Sequence, residues 1–96
     1  MFIVEISYIQ PVTMVEPHVA THGAWVKKHL ESGAIVFAGP KKSGLGGILG
    51  MRAPDRAALE SILAEDSYAV ARVAEYHVVD FDCRAIAPGL EVLASG

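Results

Sequence analysis

Phe2, Val4, Ile6 and Tyr8 alternate with Ile3, Glu5, Ser7 and Ile9 at the start of the chain. A period of two in a β-branched stretch predicts a strand with one buried face, which needs a second layer to cover it. Pro11 ends this strand. Residues 14–32, MVEPHVATHGAWVKKHLES, lose the alternation and predict a helix. Pro17 suits its first turn, Lys27 and Lys28 suit the negative end of its dipole, and Gly33 stops it. AIVFAGP, residues 34–40, is a short apolar strand, KKSGLGG a turn, and GILGMRA the returning strand. Pro54 and Asp55 open a second helix, in which Ala58, Leu59, Ile62 and Leu63 form one stripe. Residues 65–68 break it, AVARV adds a turn, and AEYHVVDFD alternates again as the last strand. The order is βαββαβ.

Two split βαβ units of that order predict an α+β fold, a ferredoxin-like sandwich whose four-stranded antiparallel sheet carries both helices on one face. The other face is left bare. In a chain of 96 residues, 52% of them apolar and with mean hydropathy +0.37, that face calls for a twin. A homodimer with facing sheets, the dimeric α/β-barrel type, is expected. Eight Lys and Arg against eleven Asp and Glu give a net charge of -3, without the basic stripe that a nucleic-acid partner requires. No apolar run approaches the roughly 20 residues of a membrane span. Cys83 has no intramolecular disulfide partner, and MFIVEISYIQ lacks the basic start of a secretory signal, so a cytoplasmic setting is expected. Residues 1–82 read as one domain. Residues 83–96 form a tail, with Ile86, Leu90, Val92 and Leu93, expected to dock on the domain or on the dimer partner, with a short helix after Pro88 and Gly89.

His18, His22 and His29 point within roughly 40° of one another on the first helix, with Trp25 beside them. His18 and His22 have the four-residue spacing of two metal ligands, but a zinc site wants a third, so no metal is assigned. His18 and His29 read as surface positions near the helix ends. His22 falls at the sheet side, next to the break that holds Asp66. A His and an Asp meeting in a partly enclosed pocket can move a proton at neutral pH, the carboxylate fixing the ring tautomer. Spacing alone favours a plainer account, in which Asp66 bonds its own turn and His22 is a half-buried side chain. KKSGLGG is not a phosphate loop, since its lysines precede the glycines and a strand follows. Cys83 has no visible activating partner.

The run from Gly33 to Pro40, with His22-x-x-Trp25 before it and Gly46, Gly47, Asp66-Ser67-Tyr68 and Glu75 after it, resembles the YciI-like (YCII-related) family over residues 1–82. The tail 87–91 resembles that of a subgroup with longer chains. The resemblance implies the same dimeric sandwich, a His and Asp pair that falls on His22 and Asp66, and proton-transfer chemistry on small ring compounds. Family members include a dehydrochlorinase of chlorinated hydroxyquinols, and the fold is similar to that of muconolactone isomerases. Two positions depart from the family pattern: Val19 stands where many relatives have Arg, and Ser67 where many have Pro. Arg72, where relatives often have a small residue, is the best donor of the missing charge if the substrate is an anion.

The pocket is therefore expected between sheet and helices, with Tyr8, Trp25, Gly39, Pro40, Tyr68 and Arg72 around the catalytic candidates His22 and Asp66. The first reading is a cofactor-free lyase or isomerase that uses the pair on a small aromatic or lactone-like compound. A non-catalytic metabolite-binding or accessory protein is the second. A cofactor-independent monooxygenase of the related dimeric barrels is the third, and the sequence neither favours nor opposes it.

Overall fold

The computed structural model describes residues 1–95. Strand β1 (Phe2–Tyr8) is followed by a short helix α1 (Val12–Val15), a 3-10 turn over Glu16–His18, and helix α2 (Val19–Ser32). Strands β2 (Ile35–Pro40) and β3 (Gly46–Met51) come next, then helix α3 (Arg56–Ala64), helix α4 (Ser67–Val70) and strand β4 (Ala74–Asp80). A 3-10 turn over Glu91–Ser95 closes the tail, where Leu90 and Val92 stay exposed. The sheet order is β2-β3-β1-β4, with every neighbouring pair antiparallel. This is the ferredoxin-like sandwich expected from the sequence.

The alternation in β1 sets the layers. Phe2, Val4 and Ile6 are buried together with Ile35, Leu49 and Met51 of the sheet and Trp25, Leu59, Leu63 and Tyr68 of the helices. The core therefore lies on one face of the sheet. Pro17 sits in the 3-10 turn, so the regular helix begins only at Val19 and not near residue 14. At the other end Gly33 takes a left-handed φ of 84°, open to glycine at no steric cost, and its N–H closes the helix on Leu30. Asp55 caps α3 by accepting from the Ala58 N–H. Among the described residues no helix is long and apolar enough to cross a membrane.

One irregularity redirects β2. Ile35 pairs with Met51, yet Phe37 pairs with Gly50, so Val36 is an extra residue in the ladder. The bulge sends Phe37 to the uncovered face, where its ring lies over Gly50 in the space a β-carbon would need. The same shift pairs Ala38 with Leu49 and Pro40 with Gly47, on the helix side. Ile3, Ile48 and Val79 share the uncovered face with Phe37 and a polar group. In that group Lys41 donates to Ser7 and pairs with Glu5, holding the Glu5 carboxyl below its ordinary range, and His77 lies opposite Glu5.

Candidate functional site

Helix α2 carries His22 to the sheet side, and α4 begins at Asp66. The two side chains meet at 2.8 Å, His22 Nδ1 donating to Asp66 Oδ1. Since an ionised carboxylate only accepts, this bond keeps a proton on Nδ1 and leaves the lone pair of the neutral ring on Nε2. Tyr68 lies flat against the imidazole, with ring centres 4.0 Å apart and planes 4° from parallel. Trp25 stands beside it at 5.8 Å. The ring is thus held in plane and in tautomer.

Asp66 is fully buried, and its carboxylate accepts on both oxygens. Oδ1 accepts from His22 and from the Tyr68 N–H at 3.2 Å, and Oδ2 accepts from the Tyr76 hydroxyl at 2.6 Å. Burial, and then the Asp66 carboxylate, push the Tyr76 phenol far above its ordinary range, so it stays a donor. Asp66 both caps α4 and holds the imidazole. Ser67, at a position where the resemblance implies Pro, donates its hydroxyl to the His18 carbonyl at 3.0 Å and ties α4 to the turn before α2. A proline cannot make that bond.

In front of His22 opens a cleft of about 320 Å³. Its floor is Ile6, Tyr8 and Leu49, one wall is His22, Gly23, Val26 and Tyr68, and the facing wall is Ala38, Gly39, Pro40, Gly46 and Gly47. The structure thus brings Tyr8, His22, Gly39, Pro40 and Tyr68 together around one space, with Asp66 directly behind the imidazole. Tyr8 meets Tyr68 edge to face at 5.6 Å. Burial, and then a hydrogen bond with Tyr8, push the Tyr68 phenol above its ordinary range. No Lys, Arg, Asp or Glu side chain is among the residues that line the cleft.

Two expected pocket residues lie elsewhere. Trp25 is 6% exposed in the core, because its indole N–H reaches the Ile62 carbonyl at 3.1 Å, near the end of α3. Arg72 is exposed, at a left-handed φ of 56° just before β4, and is not among the residues that line the cleft. Val19 is likewise exposed, and no Lys or Arg is among the residues that line the cleft. His29 was expected at the surface but is 6% exposed, donating from Nε2 to Glu65 Oε1 at 2.9 Å. His29 and then Lys28 hold the Glu65 carboxyl below its ordinary range. Among the described residues no three His, Cys, Asp or Glu side chains are grouped to hold a metal ion.

Tyr76 was not singled out from the sequence, although a signal existed. The alternation of β4 puts Ala74, Tyr76 and Val78 on the core side, opposite Tyr8, Ile6 and Val4, and a buried phenol needs a partner for its hydroxyl.

A sandwich with helices on one face and a carboxylate-held imidazole in the wall of a small cleft defines the class of protein. A model of the YCII-related domain matches residues 1–82, and the chain belongs to that family. No curated protein matches it. Among solved structures it is similar to the 5-chloro-2-hydroxyhydroquinone dehydrochlorinase of Burkholderia phenoliruptrix in complex with 2,5-dihydroxybenzoquinone. That match has a TM-score of 0.68 and 19% identity, over 84% of this chain and 93% of the other. At that identity the likeness speaks for the fold, the dimeric α/β-barrel type.

Proposed function

We propose that this protein is an enzyme that moves protons on a small ring compound, with His22 as base and acid and Asp66 holding its tautomer. The observation that carries the reading is the 2.8 Å bond from His22 Nδ1 to a fully buried Asp66, at the wall of a cleft sized for a single ring. A lone pair on Nε2 can take a hydroxyl or ring proton and return it to a neighbouring carbon, which is an isomerisation. Where that carbon bears a halogen, a second proton leaves oxygen as the halide departs with the bonding pair. The net change is loss of HX, and no oxidant or reductant enters the balance. The dehydrochlorinase with the same fold supports an elimination of this type.

The cleft also argues for the charge of the substrate. A carboxylate placed among Ile6, Val26, Leu49 and the glycines would give up several kcal/mol of hydration with no cation in the lining to offset it. An uncharged ring with hydroxyl or carbonyl oxygens suits Tyr8, Tyr68 and His22. Chlorinated hydroxyquinols, catechols and lactones, each with a carboxylated analogue, form the test panel, read by thermal shift and by halide or proton release. A neutral member should be turned over, its carboxylated analogue should bind at least about tenfold more weakly, and His22→Ala should lower turnover by about 10²–10⁴. Binding without turnover, unchanged in His22→Ala, would instead mark a metabolite-binding protein.

The uncovered sheet face supports a homodimer. Phe37 and Val79 are 42% and 46% exposed in the single chain and share that face with Ile3 and Ile48. Light scattering at micromolar concentration should give twice the 10.2 kDa chain mass, and Phe37→Glu should halve it. A stable mass of one chain for the unaltered protein would overturn this assembly.

A further inference from the structure

We propose that Tyr76 is a positioning residue of this site, whose hydroxyl locks Asp66 as an acceptor and so decides which nitrogen of His22 keeps the lone pair. The inference rests on the reading of His22 as the base. Its own ground is geometric. The Tyr76 hydroxyl lies 2.6 Å from Asp66 Oδ2, while Oδ1 already receives His22 Nδ1 and the Tyr68 N–H. Every donor that faces the carboxylate comes from a different part of the fold: α2, the backbone of α4, and β4. Tyr76 is the one among them that stands on the sheet, paired with Ile6 in the β1 and β4 ladder. It ties the carboxylate at the start of α4 to the sheet.

The chemical consequence concerns a single proton. A carboxylate shut off from solvent, as Asp66 is, keeps its charge only where donors surround both oxygens. Without the Tyr76 hydroxyl, Oδ2 has no donor, and the pair can take up one proton from solvent on Nε2 while the proton shared between Asp66 and His22 settles on the carboxyl. The carboxyl then donates to Nδ1, the ring carries its hydrogen on Nε2, and the cleft faces an N–H where the reaction needs a lone pair. The surrounding titratable groups do not substitute for Tyr76. Tyr8 of β1 and Tyr68 of α4 face each other at the cleft, and His29 and Lys28 of α2 are both engaged by Glu65. The His18 carbonyl, in the turn before α2, is taken by Ser67.

The test reads the tautomer directly, by ¹⁵N resonances of the His22 ring at neutral pH, on the full chain and without substrate. The unaltered protein should show Nδ1–H. Tyr76→Phe keeps the ring that packs in the core, and it should show a mixed or Nε2–H state. With any substrate found in the panel, it should lower kcat about tenfold or more while KM stays within about twofold. Site-specific 3-fluorotyrosine at position 76 keeps the donor and makes it more acidic, so the Nδ1–H state should persist with its resonance shifted. That variant decides the matter even where Tyr76→Phe unfolds. An unchanged His22 spectrum in Tyr76→Phe, or in the fluorinated protein, overturns the positioning role whatever the activity proves to be. Absence of turnover across the panel bears on the enzyme reading and leaves the tautomer result standing.

Discussion

Asp66→Ala is expected to destabilise the protein by about 3–5 kcal/mol, and Asp66→Asn by about 1–2. The alanine substitution leaves three donors without an acceptor, the His22 Nδ1–H, the Tyr76 hydroxyl and the Tyr68 N–H, at a position with no solvent exposure. Each buried donor left unmade costs about 1–3 kcal/mol, and the removed side chain leaves a void that its packed neighbours fill only in part. Asparagine keeps the volume and one acceptor oxygen. Its amide can serve His22 or the Tyr68 N–H through that oxygen, but its nitrogen cannot accept the Tyr76 proton. Alanine removes the acceptor that holds Nδ1–H, whereas asparagine keeps that acceptor and loses the charge, so stability and chemistry separate only in the asparagine variant. Urea denaturation followed by tryptophan fluorescence measures the difference, since Trp25 lies 5.8 Å from the His22 ring. Two variants within about 0.5 kcal/mol of the parent would mean that Asp66 is not the buried acceptor described here. A domain of this size holds about 5–15 kcal/mol in all, so the alanine variant stands near the edge of folding.

The layers of the fold were legible because they follow from periodicity. Phe2, Val4 and Ile6 face the core, as their alternation requires, and Leu59 and Leu63 of α3 meet them from the opposite layer. Single local events within the elements were not legible. An extra residue at Val36 reverses the sides of Phe37 and Ala38, which no apolar run such as AIVFAGP can disclose, because every residue in it suits either face. Pro17 looked like the first turn of a single helix, and instead it separates α1 from α2 through a 3-10 turn.

The candidate site was legible to a lesser degree. Spacing placed His22 on the sheet side of its helix, but the link to Asp66, 44 residues away, came from the family resemblance and not from any pattern within the chain. Arg72 was assigned from its charge, its distance of six residues from Asp66 and the family resemblance; it takes a left-handed φ of 56° and is not among the residues that line the cleft. His29 illustrates the converse. A histidine near a helix end reads as surface, yet Glu65 of the neighbouring helix end supplies an acceptor that lets the ring be buried. Long-range partners of polar groups decide such cases, and a sequence without its fold does not display them.

Gly46→Ala should be the most damaging single methyl in the protein, at about 4 kcal/mol or more, enough to prevent folding at ordinary temperature. Gly46 begins β3 with φ at 152°, a conformation that side chains rarely adopt. A β-carbon there would overlap the Ile6 carbonyl oxygen and lie 2.9 Å from the Ile6 carbonyl carbon and 3.2 Å from the Ser7 Cα, all of it backbone. Nothing flexible is available to move aside. Relief requires β3 to part from β1 at the Ser7 and Gly46 pair, beside the 3.0 Å bond from Tyr8 N to the Leu45 carbonyl and the 2.9 Å bond from Lys41 N to the Gly46 carbonyl. Tyr8 and the glycine wall would then leave the cleft together. Gly23 lines the same cleft and makes the control, because a β-carbon there meets nothing within 4 Å. It sits inside α2, where alanine is favoured over glycine by about 1 kcal/mol, so Gly23→Ala should raise the melting temperature by a few degrees. The contrast is checked by thermal unfolding of both variants beside the parent protein. A Gly46→Ala protein that melts within about 2 °C of the parent would show that the β1 and β3 strands are not held at the spacing on which the cleft depends.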